Sequence, residues 1–170
     1  MQGLEIHPLS ELRDEAATLL AERYARQRAA EPLLPDVDDF AAHVPEAGLV
    51  ATRGGEAVAY LAGAVIDEQD IARWLFPGHA AREPEALRDL FALQAAELGV
   101  SRFMVTVPAS APELTDVWFR LAFGCQAFWA VQEVTPWQDL QPGWTIRHTT
   151  PDDLEDVVDF DELLYLHQNE

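Results

Sequence analysis

Lysine is absent from this 170-residue chain, and cysteine occurs once, as Cys125. Without lysine there is no Schiff-base amine and no phosphate-gripping lysine of the Walker type. One cysteine excludes an intrachain disulfide and a thiolate metal cluster. Positive charge is scarce: 11 arginines stand against 30 acidic residues, for a net charge of −19. Binding to a nucleic acid duplex or a membrane surface needs a basic face to neutralise phosphates, so neither partner is expected. Long apolar runs are missing too. The longest, 57–66, is about half of a membrane span. Glu5, Glu11 and Arg13 interrupt any apolar run at the N-terminus, so no signal peptide is read and a cytoplasmic protein is expected.

Other chemistries lack their residues. Ser10, Ser101 and Ser110 are the only serines, and none lies in a G-x-S-x-G elbow. His7, His43, His79, His148 and His167 are dispersed, with no spacing suited to zinc. Cys125 follows a glycine at a helix end and reads as a small buried apolar residue. The acidic run 152–162 reads as the solvent face of a helix and needs no metal.

What is present is globular: 49% of residues are hydrophobic and 24% charged, over a length that suits one domain. Residues 4–7 read as a short strand. Leu12, Ala16, Leu19, Leu20 and Tyr24 repeat at helical spacing, predicting a helix over about 11–28. The prolines at 32 and 35 break it and lead to a loop, with a short helix expected near Phe40. Residues 48–53 and 56–66 are apolar, β-prone runs joined by Gly54-Gly55, a strong hairpin signal because paired glycines supply positive φ. Another strand is expected over 70–76. A helix begins near Pro84, turns Leu87, Leu90, Phe91 and Gln94 to one face, and ends at Gly99. Residues 102–107 alternate as a strand. Ser110 with Glu113 fits a capping box for a helix that turns Leu114, Val117, Trp118 and Leu121 inward. Residues 126–134 return as a strand. The order is that of a mixed α/β domain around a single sheet.

Residues 135–143 read as a linker, after which the start of the chain repeats. Gly143-Trp-Thr-Ile146-Arg147 echoes Gly3-Leu-Glu-Ile6-His7, and each precedes an amphipathic helix. In the second copy Thr150 and Asp153 cap the helix, and Leu154, Val157, Val158 and Leu164 line it. Three parts are therefore expected: a domain over 1–134, the linker 135–143, and over 144–170 the first strand and helix of a second, similar domain that is cut off. The exposed apolar stripe of 144–170 predicts a homodimer through that segment, or docking of the segment on its own sheet.

Over 4–134 the element order resembles the GNAT superfamily, whose members move an acetyl group from acetyl-CoA to an amine. The sharpest local match is Asp116-Val-Trp118-Phe-Arg120-Leu-Ala-Phe123-Gly124, which is similar to the family's penultimate helix running into its L-G-F turn. Val105-Thr-Val107-Pro108-Ala109 looks like the family's fifth strand and the loop after it. The resemblance implies an α/β (α+β) fold in which helices flank a central mixed, mostly antiparallel sheet. It also implies acetyl-CoA as cofactor and a small-molecule or peptide amine as acceptor.

The family's pyrophosphate loop, Q/R-x-x-G-x-G/A, falls at 76–85. The cofactor-binding residues it implies are Leu75, Phe76, Gly78, His79, Ala80, Ala81 and Arg82, with backbone N–H groups near Leu75 and Phe76 polarising the thioester carbonyl. One glycine of the motif remains. Pro84 has no N–H to offer, and Glu83 and Glu85 set negative charge where the pyrophosphate would sit. Where the family often has a tyrosine as acid stands Trp118, which cannot donate a proton at neutral pH. Ala122 replaces the glycine of the L-G-F turn. Glu56, Asp67 and Glu68 are the carboxylates near strand ends from which a base would come, and no catalytic residue is assigned. Three readings follow: a degenerate first half of a tandem acetyltransferase, an active enzyme with a divergent loop, or an acidic module that binds a basic partner.

Overall fold

The computed structural model describes residues 3–66, 70–133 and 147–168. The chain divides into two compact units, Met1–Glu133 and Val134–Glu170.

In the first unit, β1 (Leu4–Pro8), β2 (Gly48–Arg53), β3 (Glu56–Ala62) and β6 (His79–Ala81) form one antiparallel ladder in that order. A second ladder runs β4 (Ala64–Ile66), β5 (Ile71–Trp74), β7 (Arg102–Val105); its first pair is antiparallel and its second parallel. The architecture is thus α+β with a mixed, mostly antiparallel sheet. Gly54 and Gly55 make the β2–β3 turn at φ 63° and 83°, the left-handed pair that a two-residue hairpin requires.

The chain passes from the first ladder to the second at Gly63 and returns across a 3-10 turn, Phe76–Gly78. Both crossings need glycine. A Cβ on Gly63 would sit 2.5 Å from the Arg73 carbonyl oxygen, and one on Gly78 would sit 2.4 Å from that of Ala62.

Strand β3 is buried on both faces, which explains its unbroken apolar run. Tyr60 and Ala62 pack with Leu19 and Leu20 of α1 (Arg13–Ala30). Ala59 and Leu61 face the other way, into a core built by Leu87 and Leu90 of α2 (Ala86–Leu98) and Leu114, Val117 and Trp118 of α3 (Pro112–Arg120). Helix α2 stops at Gly99, at φ 63°, as its sequence predicts. In the second unit Thr150 and Asp153 form the expected capping box ahead of α4 (Leu154–Gln168).

Several expectations need correction. Among the described residues of 126–134, none is in a strand; 126–133 are irregular and exposed. The α3 N-cap is Ala111 and makes no side-chain cap, so the box expected from Ser110 and Glu113 does not form. Near Phe40 the chain makes a single turn, His43 N–H to Phe40 O at 3.1 Å, rather than a helix. Cys125 is exposed rather than buried, in the irregular stretch that follows α3. The linker 135–143 and the repeated strand around Ile146 lie outside the described residues.

Candidate cofactor-binding site

The two ladders part where β5 gives way to β6. Thr106 N–H still reaches the Trp74 carbonyl at 2.9 Å, extending the β5–β7 pairing by one step. Beyond it β6 stays on β3, with Leu61 opposite His79 and Ala59 opposite Ala81. Residues 79–81, expected in an anion-cradling loop, are therefore strand, and all three are buried. Their place in the ladder depends on pairing with β3, which no local pattern announces.

His79 fills the parting. Its Nε2 lies 3.0 Å from the Thr106 carbonyl, which can only accept, so this nitrogen carries the proton. Trp118 packs edge-on against the imidazole at 5.6 Å between ring centres. Arg23 of α1 donates to the His79 carbonyl from the other side, and Tyr60 donates to the Pro77 carbonyl at 2.5 Å. Burial, reinforced by the Arg23 charge, pushes the His79 imidazole down to about 3. Burial likewise lowers the Arg23 guanidinium to about 10 and raises the Tyr60 hydroxyl. A neutral, enclosed imidazole is an element of the core and cannot exchange protons with a substrate near neutral pH. Trp118 is equally enclosed, within a cluster of Trp74, Phe91 and Phe123.

The first turn of α2 is where a cofactor's diphosphate would meet backbone N–H groups. The N–H groups of Arg82 and Glu83 both point to the Val58 carbonyl, at 2.8 and 3.2 Å. Those of Ala86, Leu87 and Arg88 are spent on Glu83, Pro84 and Glu85, at 3.0, 3.0 and 3.1 Å. Pro84 offers none. The nearby cations are occupied as well. Arg53 pairs with Glu83 at 2.8 Å, the Arg82 Nε lies 2.8 Å from Glu22, and Arg120 holds both Glu85 and Asp116. The Arg120 guanidinium keeps the Glu85 carboxyl below the usual carboxylate range. These residues do not fit a diphosphate: Pro84 has no N–H, the N–H groups of Arg82, Glu83, Ala86, Leu87 and Arg88 are bonded to protein carbonyls, and Arg53, Arg82, Arg88 and Arg120 are each paired with a carboxylate.

Of the other residues singled out, Leu75 is exposed and its carbonyl accepts from Gly78 at 2.8 Å. Glu56 lies exposed at the start of β3, and Asp67 and Glu68 fall outside the described residues. Leu154, Val157, Val158 and Leu164 of α4 are all exposed. Sequence reading missed Arg23, Tyr60 and the Arg53–Glu83 and Arg82–Glu22 pairs, whose partners lie 17 to 60 residues away and leave no local signal. No group of His, Cys, Asp and Glu among the described residues is arranged to hold a metal ion, and no helix among them is long and apolar enough to cross a membrane.

No protein-family model matches the sequence, and no curated protein matches it. Solved structures do match. A ribosomal-protein-alanine N-acetyltransferase from Brucella melitensis biovar Abortus 2308 is 20% identical, with a TM-score of 0.52 over 78% of this chain and 100% of that one. A possible acetyltransferase from Clostridium difficile 630 is 14% identical, with a TM-score of 0.49 over 78% of this chain and 99% of that one. The first of these likenesses shows the fold: the chain has the GNAT N-acetyltransferase fold.

Proposed function

We propose that this chain is a GNAT-fold domain that has lost high-affinity acetyl-CoA binding, the first half of a tandem N-acetyltransferase in which a second domain carries out acetyl transfer. Its task is to stabilise that pair or to shape the cleft that receives a small-molecule or peptide amine. The observation that carries this reading is the start of α2, where Glu83, Pro84 and Glu85 replace a glycine-rich loop and the adjacent N–H groups already bond to protein carbonyls. Arg53, Arg82, Arg88 and Arg120 around that turn are committed to Glu83, Glu22 and Glu85. Trp118 in place of a tyrosine acid, and a neutral His79 sealed in the core, support the same reading.

Calorimetric titration with acetyl-CoA at moderate salt tests it. No heat and no thermal shift are expected at micromolar cofactor. Micromolar binding would overturn it in favour of an active acetyltransferase with a divergent loop, and an acceptor screen would follow.

A further inference from the structure

His79 and Trp118 meet in the core where the two ladders part, and they are 0% and 1% exposed. Among the described residues, neither the His79 Nδ1 nor the Trp118 Nε1 has a hydrogen-bond partner. Buried polar atoms are almost always bonded, to protein or to an ordered water, because an unmade bond in the interior keeps the full cost of leaving solvent. The two atoms are of opposite kind. The His79 Nε2 carries the ring's proton and donates it to the Thr106 carbonyl at 3.0 Å, so Nδ1 can only accept. An indole N–H can only donate. Although the two rings touch edge-on, this donor and this acceptor are not bonded to each other.

We infer that one buried water molecule joins them, accepting from the Trp118 Nε1–H and donating to the His79 Nδ1. The ring centres lie 5.6 Å apart, close to the span of two successive hydrogen bonds of about 2.9 Å each. Besides His79, the described rings packed on Trp118 are those of Trp74, Phe91 and Phe123, which offer its N–H no lone pair. The Trp74 N–H is itself committed to Gln94 at 2.7 Å. A place walled by one donor and one acceptor is where an interior water is retained, whereas dry cavities are apolar. The run from Trp118 through water and His79 to the Thr106 carbonyl then satisfies every polar atom of the two rings. It also holds the imidazole in the Nε2–H tautomer. This water is independent of whether the start of α2 binds a cofactor.

Magnetic resonance of the full, nitrogen-labelled chain tests this. The Trp118 indole proton is expected to show cross-relaxation with a long-lived water. The His79 Nδ1 is expected to resonate as an unprotonated nitrogen, displaced from the free value toward that of a hydrogen-bonded one. Trp118→Phe removes the donor while keeping a ring, and it is expected to release the water and return Nδ1 toward the free value. Should that variant fail to fold, the spectrum of the unaltered chain still decides, and a crystal structure is expected to show a water about 3 Å from both nitrogens. Three results would each overturn the proposal. An indole proton with no water contact, shifted by the ring current of Phe91 or Phe123, would mean that the N–H faces a ring. A protonated Nδ1 would mean the other tautomer. A water contact at His79 that survives Trp118→Phe, with Nδ1 unmoved, would mean that the indole does not hold it. None of these readouts depends on acetyl-CoA.

Discussion

Strand β3 and the segment 126–133 have the same kind of sequence and opposite fates. Both are short apolar runs with aromatic residues, and both read as strands. β3 has β2 on one side, β6 on the other and helices over both faces, and six of its seven residues are buried. Among the described residues, the segment 126–133 has none of these neighbours and leaves Trp129 in water. β propensity measures how well a side chain fits a packed, half-buried surface, so a strand needs a neighbour before its sequence can act. The same contrast separates the two helix starts. Thr150 and Asp153 cap within four residues, whereas the α2 start is fixed by Val58, Arg53 and Arg120 from distant parts of the chain.

The widest test of this comparison pairs Leu61→Ala with Trp129→Ala. Leu61 is fully buried, and its truncation is expected to cost about 2–5 kcal/mol, seen as a lower urea midpoint. Trp129→Ala is expected to stay within about 0.5 kcal/mol. A large loss at Trp129 would mean that the segment is covered.

A smaller effect is expected at Gln94, which joins β3 to the second ladder. Its Oε1 accepts from Trp74 Nε1 at 2.7 Å, and its Nε2 donates to the Leu61 carbonyl at 2.9 Å. Gln94→Leu strands both buried groups and should cost about 1–3 kcal/mol, read as a fall in Tm. An unchanged Tm would mean that the bridge is dispensable.

The buried ladder also has a pH signature through His79. The imidazole is pushed down to about 3 in the folded chain, from an ordinary value of 6.5. Between these values the unfolded chain binds the extra proton. Stability is therefore complete above about pH 6.5 and declines as the pH falls, by up to about 1.4 kcal/mol per pH unit. Glu22, Asp70 and Glu85, whose carboxyls are lowered by Arg82, Ser101 and Arg120 respectively, add their loss only below about pH 4.5. Urea midpoints at pH 7.5, 6.0 and 5.0 should show the slope, and His79→Leu should flatten it whatever its own cost. A slope that survives this substitution would place the titrating group elsewhere.

The hairpin at Gly54-Gly55, the stop at Gly99 and the box at Thr150 were legible because each depends on a few adjacent residues. The α3 box was not. Ser110 and Glu113 have the right spacing, but the helix begins one residue later, behind Ala111, where α3 meets the core. The conformation of the candidate site was not legible. Glu83, Pro84 and Glu85 announce a poor anion site in any fold, whereas His79–Ala81 became strand because β3 supplied the partner.

By itself the sequence determined what short-range chemistry determines: the absent lysine, the single thiol, the acidic charge, the glycine turns and the proline where a diphosphate would need an N–H. The tertiary structure alone decided which runs became strands, which arginines were neutralised by which carboxylates, and that His79 was sealed away from protons. The physical reason is range. A φ angle or a missing N–H is a property of one residue, while a ladder, a buried charge and a shifted pKa exist only once residues 30 to 60 positions apart have been brought into contact.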